Sequence, residues 1–493
     1  METKTTTKPV VEDVVSSEAI PNGNAAKLNK VDSTATLLTD ASSSSFSEED
    51  GDLQGHDPNK VMDLHPLAMI VPVDTSETFD DFERKTLEEW GYETIEDAYG
   101  PEPYVWRDNL RRTWTEATQE TIEGQTTPLR LAMLKHVIKP SRPGIDDPRD
   151  GILGRQIAKA AFIKDHPDVL DIDIEPIILI GQNRTGTTLL HRLLSLDDGV
   201  RSPKGWELIN PLPPPEEATY DTTDPRLIKG VEMTKGFSDL YPTLKYYHEM
   251  DINLPEECLL HMTDDIEFGH CINNPGQPIE RILDVTEMEA AYVSYKKTLQ
   301  ILSYKYPAKH HWVLKCPSHL PHLKTLVKLF PNAKFVWTHR TMNTVIASFC
   351  RLSSVFAVAN IPNLTPAMIG QHILKYYTEL VEKGMIARTE IERSDDDNDG
   401  YGKNRFVDIQ FADIVKDPIE QIKHIYQQFG LEYTESFDTK IRDYLAKDVI
   451  KREQLSKEQK EANITKPTLE EYGLDPELVE KLFETYHQAY IAN

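Results

Sequence analysis

Residues 181–188 of this chain read Gly-Gln-Asn-Arg-Thr-Gly-Thr-Thr, and they stand between an apolar run at 176–180 and a leucine-rich helical pattern. A strand, a glycine-bounded turn and a helix in this order direct backbone N–H groups at an anion, and the helix N-terminus adds positive potential. The spacing of Gly181 and Gly186 is that of the P-loop, G-x-x-x-x-G-K-[ST], but Thr187 replaces its lysine. We therefore predict a phosphorylated ligand that is not ATP or GTP bearing a magnesium-bound γ-phosphate.

The order of strand and then helix recurs downstream of this loop. Apolar, β-branched runs predict strands at 312–315, 334–338 and 405–410, and helical patterns follow them at 320–330, 343–352 and 419–429. Strands alternating with helices of this length indicate an α/β fold, in which helices cover both faces of a parallel sheet. Ligands of such sheets bind at the carboxyl ends of the strands.

Composition divides the rest of the chain. Residues 1–60 are rich in Ser, Thr and acidic residues, which predicts a disordered acidic tail. Residues 61–170 carry charged helical patterns and are interpreted as a helical N-terminal flank, in which the apolar residues from 106 to 123 are too sparse for a core helix. The α/β domain is predicted over 171–493. The long, mainly helical insertion at 201–300 is the expected place for a second substrate.

Net charge, apolar run length and cysteine content limit the possible partners and the location of the protein. The formal net charge of −27 disfavours nucleic acid and anionic membranes as partners. No apolar run reaches the roughly 18 residues of a transmembrane helix. The four cysteines have no CxxC spacing and are interpreted as free thiols, which favours a cytoplasmic location.

Basic and hydroxyl side chains follow the predicted strands. Lys315 and His319 come after the strand at 312–315, and Arg340 and Ser348 come after the strand at 334–338. Because the carboxyl ends of parallel strands share one edge of a sheet, these groups are expected near Arg184 of the glycine-bounded loop. The sequence thus predicts one electropositive pocket in an acidic protein.

These segments resemble the P-loop sulfotransferases that use 3′-phosphoadenosine 5′-phosphosulfate (PAPS), particularly the branch with a P-R-T-G-T-T-L-L-type loop. Their 5′-phosphosulfate loop, P-[KR]-[ST]-G-T-T, matches residues 183–188 except at Asn183. Arg340 with Ser348 eight positions later resembles their 3′-phosphate motif, and residues 409–418 resemble their Y-E-D-L-x-x-D-P segment. The resemblance implies a P-loop NTPase-like sheet and a sulfotransferase domain over 171–493.

The resemblance also implies roles for individual residues. Arg184 would neutralise the charge that develops on the bridging oxygen, and Arg340 and Ser348 would bind the 3′-phosphate. The implied reaction moves a sulfuryl group from PAPS to a hydroxyl or amine of a small-molecule or glycan acceptor, and it needs no metal. The 5′-phosphosulfate is assigned to four loop residues: Thr185, Gly186, Thr187 and Thr188.

Two histidines are candidates for the catalytic base. His319, with Lys315 beside it on the phosphosulfate, is the first choice, and His248 in the insertion is its rival. Two other functions stay open. The chain could be a catalytically silent protein that binds PAPS or its product, 3′-phosphoadenosine 5′-phosphate (PAP). It could also be an ATP-dependent P-loop kinase, with Asp413 as the acid that binds magnesium.

Overall fold

The computed structural model describes residues 74–100, 105–119, 131, 134–135, 139, 151–249, 251–262, 283, 285–357, 364–396 and 405–491. The predicted acidic tail at 1–60 lies outside these ranges. The described strands are β1 Pro176–Gly181, β2 Val200–Arg201, β3 His311–Lys315, β4 Lys334–His339 and β5 Phe406–Gln410.

The described α-helices fall into an N-terminal group, an insertion group and a group that covers the sheet. In chain order they are α1 Phe79–Glu89, α2 Ile95–Tyr99, α3 Val105–Gln119, α4 Ile152–Asp165, α5 Thr187–Leu194, α6 Gly205–Ile209, α7 Pro225–Leu240, α8 Leu259–Met262, α9 Val285–Ser303, α10 Leu323–Leu329, α11 Met342–Ala357, α12 Pro366–Asp396, α13 Phe411–Lys416, α14 Pro418–Phe429, α15 Glu435–Glu461, α16 Pro476–Leu482 and α17 Glu484–Tyr490.

The sheet has the strand order β2-β3-β1-β4-β5, and every pair in it is parallel. In the centre, Ile178 of β1 aligns with Leu314 on one side and Phe335 on the other. Every residue of β1 and β3 is buried, as expected of parallel strands that helices cover on both faces. The predicted α/β architecture is confirmed.

One hydrophobic core lies between the sheet and the helices on one of its faces. Leu190 and Leu193 of α5 pack there with Ile422 and Ile425 of α14. All four side chains are fully buried. Burying a leucine or isoleucine side chain stabilises a fold by about 1.5–3 kcal/mol, so this layer holds α5 rigidly behind the glycine-bounded loop.

The observed elements differ from the predicted ones at a few places. The helix expected over 320–330 begins as a 3-10 helix, Pro317–His322, and becomes α-helical only at Leu323, because Pro317 and Pro321 fall in the segment. Strand β2 went unpredicted, because two residues are too few for a periodic pattern. Near the C-terminus, two short helices, α16 and α17, are separated by Phe483.

The N-terminal group of helices has a small core of its own. Leu110 and Trp114 of α3 are buried against Phe79 of α1, so the expectation that this region lacks a core helix is wrong. Glu83 of α1 and Arg107 of α3 also form a buried ion pair at 2.5 Å, which joins the same two helices. Among the described helices, none combines the length and the hydropathy that crossing a bilayer requires.

Candidate anion-binding and catalytic site

The loop between β1 and α5 is folded tightly against the end of β4. Gly181 and Gly186 have φ angles of 119° and 93°, which side chains disfavour. A Cβ atom on Gly181 would lie 2.6 Å from the carbonyl oxygen of Thr338, so only glycine fits there. The hydroxyl of Thr185 donates to the carbonyl of Gln182 at 2.6 Å and lies 2.5 Å from the Thr338 hydroxyl. These contacts fix the shape of the loop.

Arg184, within the same loop, also has a positive φ, 71°. A non-glycine residue in this region is uncommon and requires compensating contacts. Its Nε atom donates to the Ser348 hydroxyl at 3.1 Å, and its Nη1 atom donates to the carbonyl of Tyr247 at 3.0 Å. Tyr377 donates to Asn183 at 2.9 Å and holds the preceding residue.

Arg340, just after β4, meets the same loop. Its Nη1 atom donates to the carbonyl of Arg184 at 2.8 Å. Its guanidinium lies 3.9 Å from the ring centre of Phe411, the first residue of α13. Arg184, Arg340 and Ser348, predicted to bind opposite ends of one ligand, are therefore brought together by direct hydrogen bonds.

The charges of the two arginines are not neutralised by carboxylates. Within the described ranges, neither Arg184 nor Arg340 has an acidic partner, although the formal net charge is −27. By contrast, the buried Arg201 is paired with Glu207. Burial lowers the pKa of Arg184, and burial together with the charge of Arg184 lowers that of Arg340. Two adjacent, partly desolvated cations beside a helix N-terminus are the electrostatic requirement for binding an anion.

The predicted loop threonines lie at the start of α5. Gly186 is its N-cap residue in the left-handed conformation, and Thr187 and Thr188 form its first turn. Thr187 is 4 % exposed, whereas Thr188 is partly accessible. Asp413, the acid that a kinase would require, is exposed in the first turn of α13. It therefore has the accessibility of a surface residue.

Lys315 ends β3 and is buried, with 2 % of its surface exposed. Its ammonium group forms a 2.5 Å ion pair with Glu257, which comes from the insertion. Burial raises the pKa of the neighbouring Glu256, an effect that Lys315 opposes. A lysine and two glutamates thus meet at the carboxyl end of the sheet.

His248 lies in the insertion, two residues after the 3-10 helix Leu244–Tyr246. Among the described residues, its ring nitrogens have no hydrogen-bond partner. Burial lowers its pKa to about 4; Glu257 opposes this shift, and the charges of Lys315 and Arg184 reinforce it. The imidazole is thus neutral at pH 7, and the charges of Arg184, Lys315 and Glu257 influence its pKa.

His319 lies in the 3-10 helix after β3 and is completely buried. Its Nδ1 atom is 2.9 Å from the Tyr292 hydroxyl, and its Nε2 atom has no partner among the described residues. Burial, followed by the charge of His322, lowers its pKa to about 3. This ring is packed among aromatic side chains of α9 rather than among the charged groups of the pocket.

Three contacts of the site were not anticipated from the sequence. They are the Tyr247 carbonyl that holds Arg184, the Phe411 ring beneath Arg340 and the Glu257 partner of Lys315. A backbone carbonyl carries no sequence signal. Glu257 stands in the segment Pro-Glu-Glu-Cys, and two adjacent acids in a Pro-rich insertion could have indicated a partner for a buried lysine.

A parallel α/β sheet with a glycine-bounded loop between its central strand and the following helix defines a protein of the P-loop NTPase-like class. A sequence model of the Sulfotransferase family matches residues 176–435. The chain therefore belongs to the Sulfotransferase family.

Curated relatives of the chain are known from mycobacteria. It is 25 % identical over 287 residues to the omega-hydroxy-beta-dihydromenaquinone-9 sulfotransferase Stf3 of Mycobacterium bovis and to that of Mycobacterium tuberculosis. The alignment covers 55 % of this chain and 66 % of each relative.

Two solved structures share the fold. The sulfotransferase STF9 of Mycobacterium avium superposes with a TM-score of 0.68 at 24 % identity, covering 86 % of this chain and 99 % of that one. The sulfotransferase STF1 of M. tuberculosis superposes with a TM-score of 0.61 at 22 % identity, covering 83 % of this chain and 99 % of that one.

Proposed function

We propose that the protein is a PAPS-dependent sulfotransferase that transfers the sulfuryl group to a hydroxyl of a small, largely apolar acceptor. The observation that carries the proposal is the pair of guanidiniums of Arg184 and Arg340, which lack carboxylate partners within the described ranges and lie at a glycine-bounded loop. Membership of the Sulfotransferase family supports the reaction class. We assign the activity to residues 171–493, preceded by the flank at 61–170.

The donor is bound as a substrate with two anionic ends. The amides of the loop, with Thr187 and Thr188, bind the 5′-phosphosulfate, and Arg184 neutralises its bridging oxygen. Arg340 and Ser348 bind the 3′-phosphate, which distinguishes PAPS from ATP. Arginine suits this pocket because its planar guanidinium donates to several acceptors at once and stays charged when desolvated.

The acceptor is bound by the insertion at 201–300. Both Glu257 and His248 come from that segment and border Lys315. The name of the mycobacterial relatives describes an acceptor with an omega-hydroxyl group on a menaquinone derivative. That name favours an apolar hydroxylated acceptor over an amine or a glycan.

The reaction is an in-line displacement at sulfur. The acceptor oxygen forms a bond to sulfur while the bond between sulfur and the bridging oxygen of the 5′-phosphate breaks. The electron pair of the broken bond stays on the leaving PAP, where Arg184 and the loop amides stabilise it. The acceptor proton passes to a base, and we assign that role to His248.

The choice of His248 over His319 rests on accessibility and surroundings. His248 is partly accessible, neutral and influenced by Arg184 and Lys315, whereas His319 has no exposed surface and hydrogen-bonds to Tyr292. A base must reach the proton that it abstracts, directly or through one water. Lys315 stays beside the phosphosulfate as a fixed positive charge.

The proposal is tested by calorimetry with PAP and by incubation with labelled PAPS and an acceptor panel of apolar alcohols, phenols, amines and glycans. We expect PAP binding and transfer to an alcohol without added metal. Failure to bind PAP at millimolar concentration would contradict the proposal. PAP binding without transfer to any class favours the silent binding protein, and magnesium-dependent ATP turnover favours the kinase.

We also expect the protein to act in the cytoplasm. Cys258, Cys316 and Cys350 are buried and free, which suits a reducing compartment. Fractionation of the source cells, with the protein detected by antibody, tests this location.

A further inference from the structure

A chain of buried hydrogen bonds runs from the surface of the sheet into the anion-binding loop. The Nε2 atom of His339 lies 2.7 Å from Asp408, and its Nδ1 atom lies 3.0 Å from the Tyr486 hydroxyl. The same hydroxyl lies 3.3 Å from the side-chain amide of Gln182, the second residue of the loop. His339, Tyr486 and Gln182 are at most 1 % exposed.

The protons in this series of hydrogen bonds have one consistent arrangement. Burial would raise the pKa of Asp408, but hydrogen bonds from His339 and Arg388 outweigh it and lower the pKa, so the carboxylate only accepts. Nε2 of His339 therefore carries a proton. Burial lowers the pKa of His339 although Asp408 opposes this, which leaves its Nδ1 as an acceptor. The Tyr486 hydroxyl must then donate to Nδ1.

Because the Tyr486 hydroxyl donates to His339, the orientation of the Gln182 side-chain amide is determined. A phenol whose proton points to His339 can only accept from Gln182, so the amide must present its N–H to Tyr486. With its oxygen toward Tyr486 instead, Nε2 of Gln182 is a buried donor that lacks a partner among the described residues. Turning the amide by 180° removes the unpaired buried donor, which would otherwise destabilise the fold.

Tyr486 also interacts with the backbone of Arg340. Burial raises the pKa of its phenol, and the donors around it, Gln182 and then the backbone of Arg340, counteract part of that rise. Helix α17, which carries Tyr486, is fixed to the same edge of the sheet by two further bonds. The Met342 amide donates to His487 at 3.1 Å, and Gln410 donates to the Tyr490 carbonyl at 2.7 Å.

We propose that Tyr486 is a positioning residue, whose hydroxyl, oriented by His339, holds the anion-binding loop through Gln182 and keeps it in register with Arg340. Tyr486 lies beyond residues 176–435, the part of the chain that matches the family. It touches neither Arg184 nor Ser348 in any described contact. Its effect on the donor rests on the proposed function, whereas its effect on the loop does not.

The test compares Tyr486→Phe with Tyr490→Phe. The Tyr486→Phe variant removes the hydroxyl that hydrogen-bonds to His339 and Gln182. The second deletes a hydroxyl from the same helix that has no hydrogen bond among the described residues, and it keeps the ring that stacks on His339 at 4.9 Å. Hydrogen–deuterium exchange of the ligand-free proteins reports the loop directly. We expect amides of 182–188 to exchange at least fivefold faster in Tyr486→Phe only, with the rest of the sheet unchanged.

Donor binding provides the second measurement. We expect the PAP dissociation constant, and the KM for PAPS, to rise about tenfold in Tyr486→Phe, which corresponds to about 1.4 kcal/mol. The acceptor KM should not change. Gln182→Met should weaken PAP binding similarly, and the double variant should be no weaker than the single ones, because both lose the same contact.

The outcomes separate this inference from the proposed function. Unchanged exchange of the loop in Tyr486→Phe would overturn the positioning role, whatever the ligand. A lower melting temperature with unchanged loop exchange and unchanged PAP affinity would show a purely structural tyrosine and would overturn it too. Faster loop exchange in a protein that does not bind PAP would support the positioning role and contradict the proposed donor.

Discussion

The Nε atom of Arg184 donates a 3.1 Å hydrogen bond to the hydroxyl of Ser348, although the two residues are 164 positions apart. One belongs to the loop after β1 and the other to helix α11 after β4. The bond therefore joins the proposed anchor of the 5′-phosphosulfate to the proposed anchor of the 3′-phosphate. It keeps a guanidinium without a carboxylate partner, among the described residues, oriented before any ligand arrives.

The first prediction concerns the coupling of these two anchors. Arg184→Lys keeps the charge but cannot reach Ser348 and the Tyr247 carbonyl together, and Ser348→Ala removes the acceptor. We expect each variant to weaken PAP binding about tenfold, with a coupling energy of about 0.5–3 kcal/mol in a double-mutant cycle measured by calorimetry. Strictly additive effects would show that the bond does not matter for the donor. Arg351→Lys, in a half-exposed pair with Glu471, is the control.

The second prediction concerns discrimination between nucleotides. Replacing Arg340 by Gln removes the charge proposed to bind the 3′-phosphate while keeping a donor for the Arg184 carbonyl. Because a hydrogen bond to a charged group contributes about 1.5–3 kcal/mol, we expect PAP to bind 10- to 100-fold more weakly. AMP, which lacks the 3′-phosphate, should change less than threefold. Equal losses for both nucleotides would assign Arg340 to the 5′ end.

The third prediction concerns the base. His248→Gln should lower kcat at least 100-fold, as loss of a general base does, while the PAP dissociation constant changes little. His319→Gln, which keeps a partner for Tyr292, should retain most of the activity. The reverse ranking would restore His319 as the base.

The assignment of His248 as the base also predicts how the activity depends on pH. The pKa of His248 is lowered to about 4, mainly by burial, so the free enzyme keeps its base unprotonated down to that pH. We expect kcat/KM to stay level from pH 8 to pH 5 and to fall only near pH 4, in contrast to an ordinary histidine with a pKa near 6.5. An inflection near 6.5 that disappears in the His248→Gln variant would contradict this environment for the ring.

The fourth prediction concerns stability. The pKa of His319 is about 3 in the folded protein, because of burial, and near 6.5 when unfolded. The unfolded state therefore binds an extra proton between these values, and the free energy of unfolding falls as the pH is lowered through that window. This one group accounts for about 1.4 kcal/mol of loss between pH 7.5 and 5.5. In urea titrations, His319→Gln should lose less stability over this interval by about that amount.

The reference for the fourth prediction is the original protein, measured in the same urea titrations. An unchanged slope in His319→Gln would mean that the ring is hydrated or paired in a way that keeps its ordinary pKa.

Four of the five described strands of the parallel sheet were predicted from the sequence, and β2 was missed because it has only two residues. β1 and the centre of β4 are apolar, the glycine-bounded loop with Arg184 follows β1, and Arg340 follows β4, so chain order and parallel pairing predict that the two arginines lie at one edge of the sheet. The base could not be chosen that way. His248 lies between the helices of the insertion, and its environment depends on Glu257 and Lys315, which approach it only in three dimensions.

Gly181 has a consequence for how donor affinity could change in such proteins. A Cβ atom added at this position would lie 2.6 Å from the carbonyl oxygen of Thr338, so an alanine there requires the loop or the end of β4 to shift. Arg340 is the residue directly after β4 and would move with the end of that strand. A substitution at Gly181 would then separate the two parts of the proposed donor site, and a smaller residue at position 338 should reverse this effect. The two positions are expected to vary as a pair among relatives that have tuned their affinity for the donor.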